Sequence, residues 1–233
     1  MSVFLRPALV LVQAVFNQAA YTPPNKTQEK FRYHTEEPLL LQIAPLIFKL
    51  HTIALWWIAA FELVAALNHH VGTSLSPSLS NYLDAALFPA SRSQNLITPI
   101  FVAGTLLLAI GSCIRVRCFN ELGQLFTFDL TMHPEHKLVT SGPYAYVRHP
   151  SYLGSILVVI GFTFSHLTSG SLLVECLLGH VGSALVWAVW WIWTAAVAKS
   201  RVLAEDNELQ KKFGSEWDAY ATNVKCRFVP GLL

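Results

Sequence analysis

Five stretches of the chain are apolar over nearly the length of a bilayer-crossing helix, and polar segments separate them. A helix needs about 20 mostly apolar residues to cross the hydrocarbon of a membrane. The stretches run over about 3–20, 39–67, 96–114, 152–168 and 172–198. The first is short for that task. The second is long enough to tilt or to carry a break near Pro45. Only a few residues around Ser169 and Gly170 divide the fourth from the fifth, which predicts an antiparallel helical hairpin. The loop 68–94 is rich in Ser, Asn and Pro and reads as a connector. The pattern predicts an all-α integral membrane protein with about five transmembrane helices.

Composition agrees. Of 233 residues, 53% are hydrophobic and 13% charged, whereas a soluble domain is nearer a quarter charged. A net charge of +2, with no basic patch interleaved with aromatics, argues against nucleic-acid binding. Cys113, Cys118, Cys176 and Cys226 form no C-x-x-C pair, so each reads as a small buried hydrophobe rather than a metal ligand or half-cystine. The histidines offer only His133-x-x-His136 and His69-His70, short of the clusters a di-iron oxygenase needs.

The charges orient the spans. With the C-terminus in the cytosol, thirteen of the sixteen basic residues fall in loop 21–38, region 115–151 and the tail, all on the cytosolic side. A cleaved signal peptide would move loop 21–38 to the lumen and spoil this asymmetry. The first apolar segment is therefore expected to be retained. The sequon Asn25-Lys26-Thr27 then faces the cytosol and stays unmodified.

One polar island stands out in this apolar chain: HKLVTSGPYAYVRHPSYLG, residues 136–154. Ser141-Gly142-Pro143 signals a turn. Pro150 suits the first position of a helix, so the fourth span should start at Pro150 or Ser151. Its free N–H groups and positive dipole end make an anion site beside His149. The tail RVLAEDNELQKKFGSEWDAY holds Arg201 and Glu205 four apart, on one helix face. That helix should end near Gly214. Trp217 and Tyr220 suit an interfacial position.

These two segments, in this order, resemble the isoprenylcysteine carboxyl methyltransferase family of integral-membrane methyltransferases. The resemblance covers roughly residues 120–230. It implies S-adenosylmethionine as methyl donor and a prenylated C-terminal cysteine as acceptor, hence prenylated CaaX-type proteins or peptides as partners in an endoplasmic reticulum membrane. It places His136, Lys137, Leu138, Val139, Tyr144, His149, Pro150, Ser151, Tyr152 and Glu205 in the cofactor pocket, with Asp129 as a further polar contact. It matches Arg201 to the position that meets the substrate. Asp206, where the family usually has glutamate, and Trp217, where tyrosine is commoner, depart from the pattern.

The chemistry suits these residues. An α-carboxylate has a reference pKa near ~3.5 and needs no general base at neutral pH. It does need a cationic partner when buried, and arginine supplies one that never deprotonates. The expected organisation is one methyltransferase domain over 1–233, with three spans and their loops in 1–118. The catalytic half, 119–233, holds two spans, a cytosolic cofactor-binding loop and a C-terminal amphipathic helix. Alternatives at this stage are a phospholipid N-methyltransferase, a membrane sterol reductase with a nicotinamide cofactor, and a transporter built on Glu62, Lys49, His51, Glu175 and His180.

Overall fold

Small residues and buried polar side chains, more than length alone, govern how the apolar stretches pack. The computed structural model describes residues 3–33, 39–68, 70, 76–78, 81, 97–229 and 231. Its helices are α1 (Leu5–Tyr21), a single turn α2 (Leu39–Gln42), α3 (Ala44–Leu67), α4 (Pro99–Leu122), α5 (Pro150–His166), α6 (Gly179–Phe213) and α7 (Ser215–Asn223). Among the described residues, the sole β pairing outside helices is an isolated bridge between Arg32 and Thr131.

Among the described residues, three helical segments are long and apolar enough to cross a membrane: Ala44–Leu67, Pro99–Leu125 and Leu173–Phe213. Pro150–His166 is a shorter apolar helix. It and α1 have 17 residues each, about 25 Å at 1.5 Å per residue, below the ~30 Å of bilayer hydrocarbon. The chain is a multi-helix membrane protein. The expected loop 68–94 lies almost wholly outside the described residues.

The sequence of α1 looks marginal for a span because it carries a polar stripe. Arg6, Gln13, Asn17 and Tyr21 are all buried, together with Val10 and Ala14. The stripe faces the bundle, where its polar side chains meet protein partners. Arg6 Nε pairs with Glu62 Oε1 of α3 at 3.1 Å. Gln13 Nε2 donates to Thr105 Oγ1 at 2.6 Å, and Gln13 Oε1 meets His166 Nε2 at 2.9 Å. Asn17 Nδ2 donates to Thr52 Oγ1 at 2.8 Å. Polar groups kept from lipid need partners inside the protein, and this network supplies partners for Arg6 Nε, Gln13 and Asn17 Nδ2.

The tightest contact is α4 on α5. Gly104 and Gly111 of α4 oppose Gly161 and Gly154 of α5, each pair spaced seven residues apart. A methyl group on Gly161 would sit 2.5 Å from the Leu108 amide nitrogen, and one on Gly111 2.5 Å from the Gly154 carbonyl oxygen. The two backbones therefore touch, as small-residue faces allow in membranes. This corrects the expected pairing of the fourth and fifth segments: α5 packs mainly on α4 and only slightly on α6. A buried turn and a π-helical segment, Leu173–Leu178, lie between α5 and α6.

The cysteines also differ from expectation. All four are unpaired, but only Cys118 is buried, and Cys113 is exposed. Lys49 and His180 are exposed, whereas Glu62 and His51 are buried.

One end of the bundle gathers the loops. Asn25 Nδ2 donates to the Gly123 and Phe126 carbonyls at 2.7 and 2.9 Å. The sequon asparagine is thus spent on the C-terminus of α4. The amide of Tyr33 donates to Leu130 O, and that of Met132 to Phe31 O. The amides of Arg148 and His149 donate to the carbonyls of Cys226 and Arg227. Loop 22–33, region 123–149 and the tail therefore share one end, the three segments that hold most of the basic residues.

Candidate active site

A cavity opens at this end, with about 1390 Å³ of space including its mouth to solvent. Pro150 starts α5 with His149 immediately before it, as the proline position predicts. Ser151, Tyr152 and Ser155 on the first turns of α5 face the cavity. At 35 residues, or about 52 Å, α6 outruns the hydrocarbon thickness. Its distal half carries Arg201 and Glu205 to the cavity wall. It stops at Phe213, where Gly214 takes φ +52°.

The structure brings almost all the sequence-derived candidates together. Asp129, His136, Lys137, Leu138, Val139, Tyr144, His149, Ser151, Tyr152, Arg201 and Glu205 all line this cavity. Pro150 is buried and does not line it.

Arg201 is 8% exposed. Its Nη1 donates to the Phe128 carbonyl at 2.7 Å, and its buried Nε has no hydrogen-bond partner. No carboxylate pairs with it among the described residues. A buried guanidinium with an open donor is expensive to leave unmatched, so it is poised for an anion.

His149 is differently engaged. Its Nε2 lies 2.8 Å from Asp206 Oδ1, and its Nδ1 lies 3.7 Å from Glu205 Oε2. Burial alone would lower its pKa, but the two carboxylates outweigh burial and raise it to about 9. The side chain is cationic at neutral pH and bridges α5 to α6. The anions at the start of α5 thus include the protein's own carboxylates. Arg148 and Arg227 sit 3.5 Å from Asp206 Oδ2, which completes the cluster.

His136 is lowered in pKa by burial and then by the Lys212 ammonium, against Glu205. It is a neutral ring whose buried Nδ1 has no partner. Burial raises the Tyr144 phenol well above its ordinary value. Tyr220 Oη donates to the Tyr144 carbonyl at 2.8 Å.

Several lining residues escaped sequence reasoning. Trp217 and Tyr220, expected at the membrane interface, are instead buried, at 5% and 8% exposure, against this cavity. Of the motif tyrosines, only Tyr146 is well exposed, at 72%. Arg115 is buried and lines the cavity. Its Nε donates to the Ala20 carbonyl at 2.9 Å, its Nη1 to Ser155 Oγ at 2.6 Å, and its guanidinium stacks 4.6 Å from the Tyr21 ring centroid. Its short distance from the α4 C-terminus made it look like a plain flanking charge. Tyr33 also lines the cavity. Among the described residues, no group of three or more His, Cys, Asp or Glu side chains is arranged to hold a metal.

Residues 103–211 match the model of the isoprenylcysteine carboxyl methyltransferase family. This segment is similar to members of that family. Similar proteins include the protein-S-isoprenylcysteine O-methyltransferase of Schizosaccharomyces pombe, 28% identical over 63% of this chain and 57% of the relative. Protein-S-isoprenylcysteine O-methyltransferase B of Arabidopsis thaliana is 26% identical over 68% of this chain and 73% of the relative. The human protein-S-isoprenylcysteine O-methyltransferase is 35% identical over 41% of this chain and 34% of the relative. The chain thus spans little more than half the length of the yeast relative it matches.

The matched segment contains most of α4, all of α5 and most of α6, with the motif loop between α4 and α5. It does not contain all of the cavity. Tyr21, Tyr33, Ala44, Pro45 and Phe48 line the cavity from before the segment, and Trp217 and Tyr220 from after it.

Proposed function

We propose that this chain transfers the methyl group of S-adenosylmethionine to the C-terminal α-carboxylate of a prenylated cysteine. The observation that carries this reading is Arg201: a buried guanidinium in the cavity with an open Nε and, among the described residues, no carboxylate partner of its own.

The residues present fit the donor. His136 Nδ1 is a buried, unpartnered polar atom in the cavity wall. Glu205 carries negative charge suited to a cationic ligand. Tyr144 and Tyr152 offer flat faces, and Leu138 and Val139 an apolar edge. Bound there, S-adenosylmethionine supplies a methyl group on a sulfonium, which a carboxylate oxygen can take by in-line displacement.

The chain's own work is to bind, orient and dry the site. Arg201 holds the acceptor's carboxylate, which is already ionised, so no side chain has to remove a proton. Buried aromatic walls from Tyr144, Trp217 and Tyr220 exclude water that would solvate that carboxylate and blunt it as a nucleophile. Holding both charged partners in contact geometry supplies much of the rate. His149 does not touch the reaction; it fixes α5 against α6 so that the two walls keep their spacing.

Ala44, Pro45, Phe48, Ile156, Trp193 and Val197 give the same cavity an apolar flank between α3, α5 and α6. That flank suits a farnesyl or geranylgeranyl chain arriving from the bilayer. The partners in this reading are prenylated CaaX-type proteins or peptides, in an endoplasmic reticulum membrane. The cavity end and the C-terminus are cytosolic, and the helices make five crossings. Membranes containing the protein should move a labelled methyl group from S-adenosylmethionine to N-acetyl-S-farnesylcysteine and not to phosphatidylethanolamine. Labelling of the lipid amine instead would overturn the reading.

A further inference from the structure

The segment 25–33 lies outside the family match, yet it is stitched across the cavity end. Asn25 caps the carbonyls of Gly123 and Phe126. Phe31 and Tyr33 pair by backbone with Met132 and Leu130 at 2.9 and 3.0 Å. Arg32 Nη2 lies 3.3 Å from Asp129 Oδ1, and the Phe31 ring packs 4.5 Å from that of His133. Three kinds of contact fix one backbone position, and the side chain they deliver into the cavity is Tyr33.

Tyr33 stands in the wall between two spaces. It lines the central cavity, and it also lines a shallow outer groove along α6 beside Leu203, Asn207 and Glu208. Its charged and polar neighbours are Glu205, Tyr152, Glu208 and Arg201. The hydroxyl has no hydrogen-bond partner within the protein among the described residues. Burial, then Glu205, raises the phenol's pKa, so the group is a neutral donor at any physiological pH.

We propose that Tyr33 is a substrate-positioning residue, whose hydroxyl donates a hydrogen bond to the carboxylate of the acid that Arg201 holds. This deepens the methyl-transfer reading and rests on it. A carboxylate has two oxygens and about four lone-pair directions. One oxygen must keep a lone pair free to attack. Arg201 commits Nη1 to Phe128 and keeps its Nε and Nη2 donors for the acid, which leaves further lone-pair directions of the carboxylate open to a second donor. A second, uncharged donor on the non-attacking oxygen orients the acid without adding a cation beside the sulfonium. The ester product carries no charge and gains far less from that donor, which favours release.

The test uses the full chain in nanodiscs, as wild type, Tyr33→Phe and Tyr33→Ala. Three quantities are read: the KM for N-acetyl-S-farnesylcysteine, the inhibition constant of its methyl ester, and the affinity for S-adenosylhomocysteine. Tyr33→Phe should raise the acid's KM about tenfold or more, the scale of a lost hydrogen bond to a charged group. It should leave the ester and S-adenosylhomocysteine within twofold of wild type. Tyr33→Ala should do the same to the acid and also weaken the ester, because the wall itself is lost. An unchanged acid KM in Tyr33→Phe overturns the proposal, as does an equal shift in all three quantities. Wild type that transfers no methyl group overturns the methyl-transfer reading itself, a different failure from a normal Tyr33→Phe in an active enzyme.

Discussion

His149 Nε2 lies 2.8 Å from Asp206 Oδ1, so the residue before α5 is tied to the outer end of α6. This contact joins the 136–152 segment to the 201–206 turn, two stretches some fifty residues apart in sequence. Its charge state sets a pH dependence. The folded pKa of His149 is raised to about 9, above an ordinary value of 6.5. The stabilisation is therefore complete below about pH 6.5 and disappears as pH rises through 9. It amounts to on the order of 3 kcal/mol at most. Asp206→Asn removes the partner charge. Thermal melting in detergent should show wild type well above Asp206→Asn at pH 6.5, with the gap narrowing by more than half at pH 9.5. A gap independent of pH would contradict this role.

The glycine face between α4 and α5 gives a packing prediction. Gly161→Ala forces a methyl group to within 2.5 Å of the Leu108 nitrogen and 2.6 Å of the Gly104 carbonyl oxygen. Backbone cannot yield as a flexible side chain can, so a loss of about 1–3 kcal/mol is expected, read as a drop of several degrees in Tm. Gly182→Ala is the control, since its nearest neighbour would be Leu178 Cβ at 3.4 Å. The control should melt within a degree or two of wild type.

How much of this was legible beforehand can be seen residue by residue. The motif 136–152 and the pair Arg201 and Glu205 were readable because turn, helix start and i,i+4 spacing are local signals. Apolar length found α1, α3 and α5 within about five residues, but it stopped short of the ends of α4 at Leu122 and α6 at Phe213, where both helices run on into polar residues. The α4–α5 contact was not readable, since glycines at 104, 111, 154 and 161 resemble ordinary membrane-helix glycines until the two helices are apposed. Arg115 looked like a topological charge, and Trp217 and Tyr220 like interface aromatics, because position relative to the membrane does not reveal which face a side chain takes. Tyr33 carried no local signal at all, as its place depends on backbone pairing with residues about a hundred positions away.

Arg115 should resist conservative replacement. Its fork reaches the Ala20 carbonyl and Ser155 Oγ at once while stacking on Tyr21. A lysine offers one point charge and no planar face. Arg115→Lys should therefore lose most methyl transfer and lower the Tm, much as Arg115→Met does. Near-normal activity in Arg115→Lys would show that charge alone suffices there.

Tyr220→Phe should have a smaller, cleaner effect. It removes the hydroxyl that donates to the Tyr144 carbonyl and leaves the ring in place. A cost of about 1–2 kcal/mol follows for the buried carbonyl left unpaired. Affinity for S-adenosylhomocysteine, measured by calorimetry, should fall a few-fold as the Tyr144 backbone loosens. An unchanged affinity and Tm together would separate α7 from the site.

The most direct measurement is radiolabelled methyl transfer from S-adenosylmethionine to N-acetyl-S-farnesylcysteine in membranes holding wild type, Arg201→Ala or Arg201→Lys. Wild type should label the acceptor. Arg201→Ala should lose on the order of a hundredfold or more in kcat/KM, as expected when a buried carboxylate loses the cation that holds it. Arg201→Lys should recover only part of it. Wild type that leaves the acceptor unlabelled, or Arg201→Ala that labels it at the full rate, would contradict a site built to hold a lipid-borne acid on Arg201.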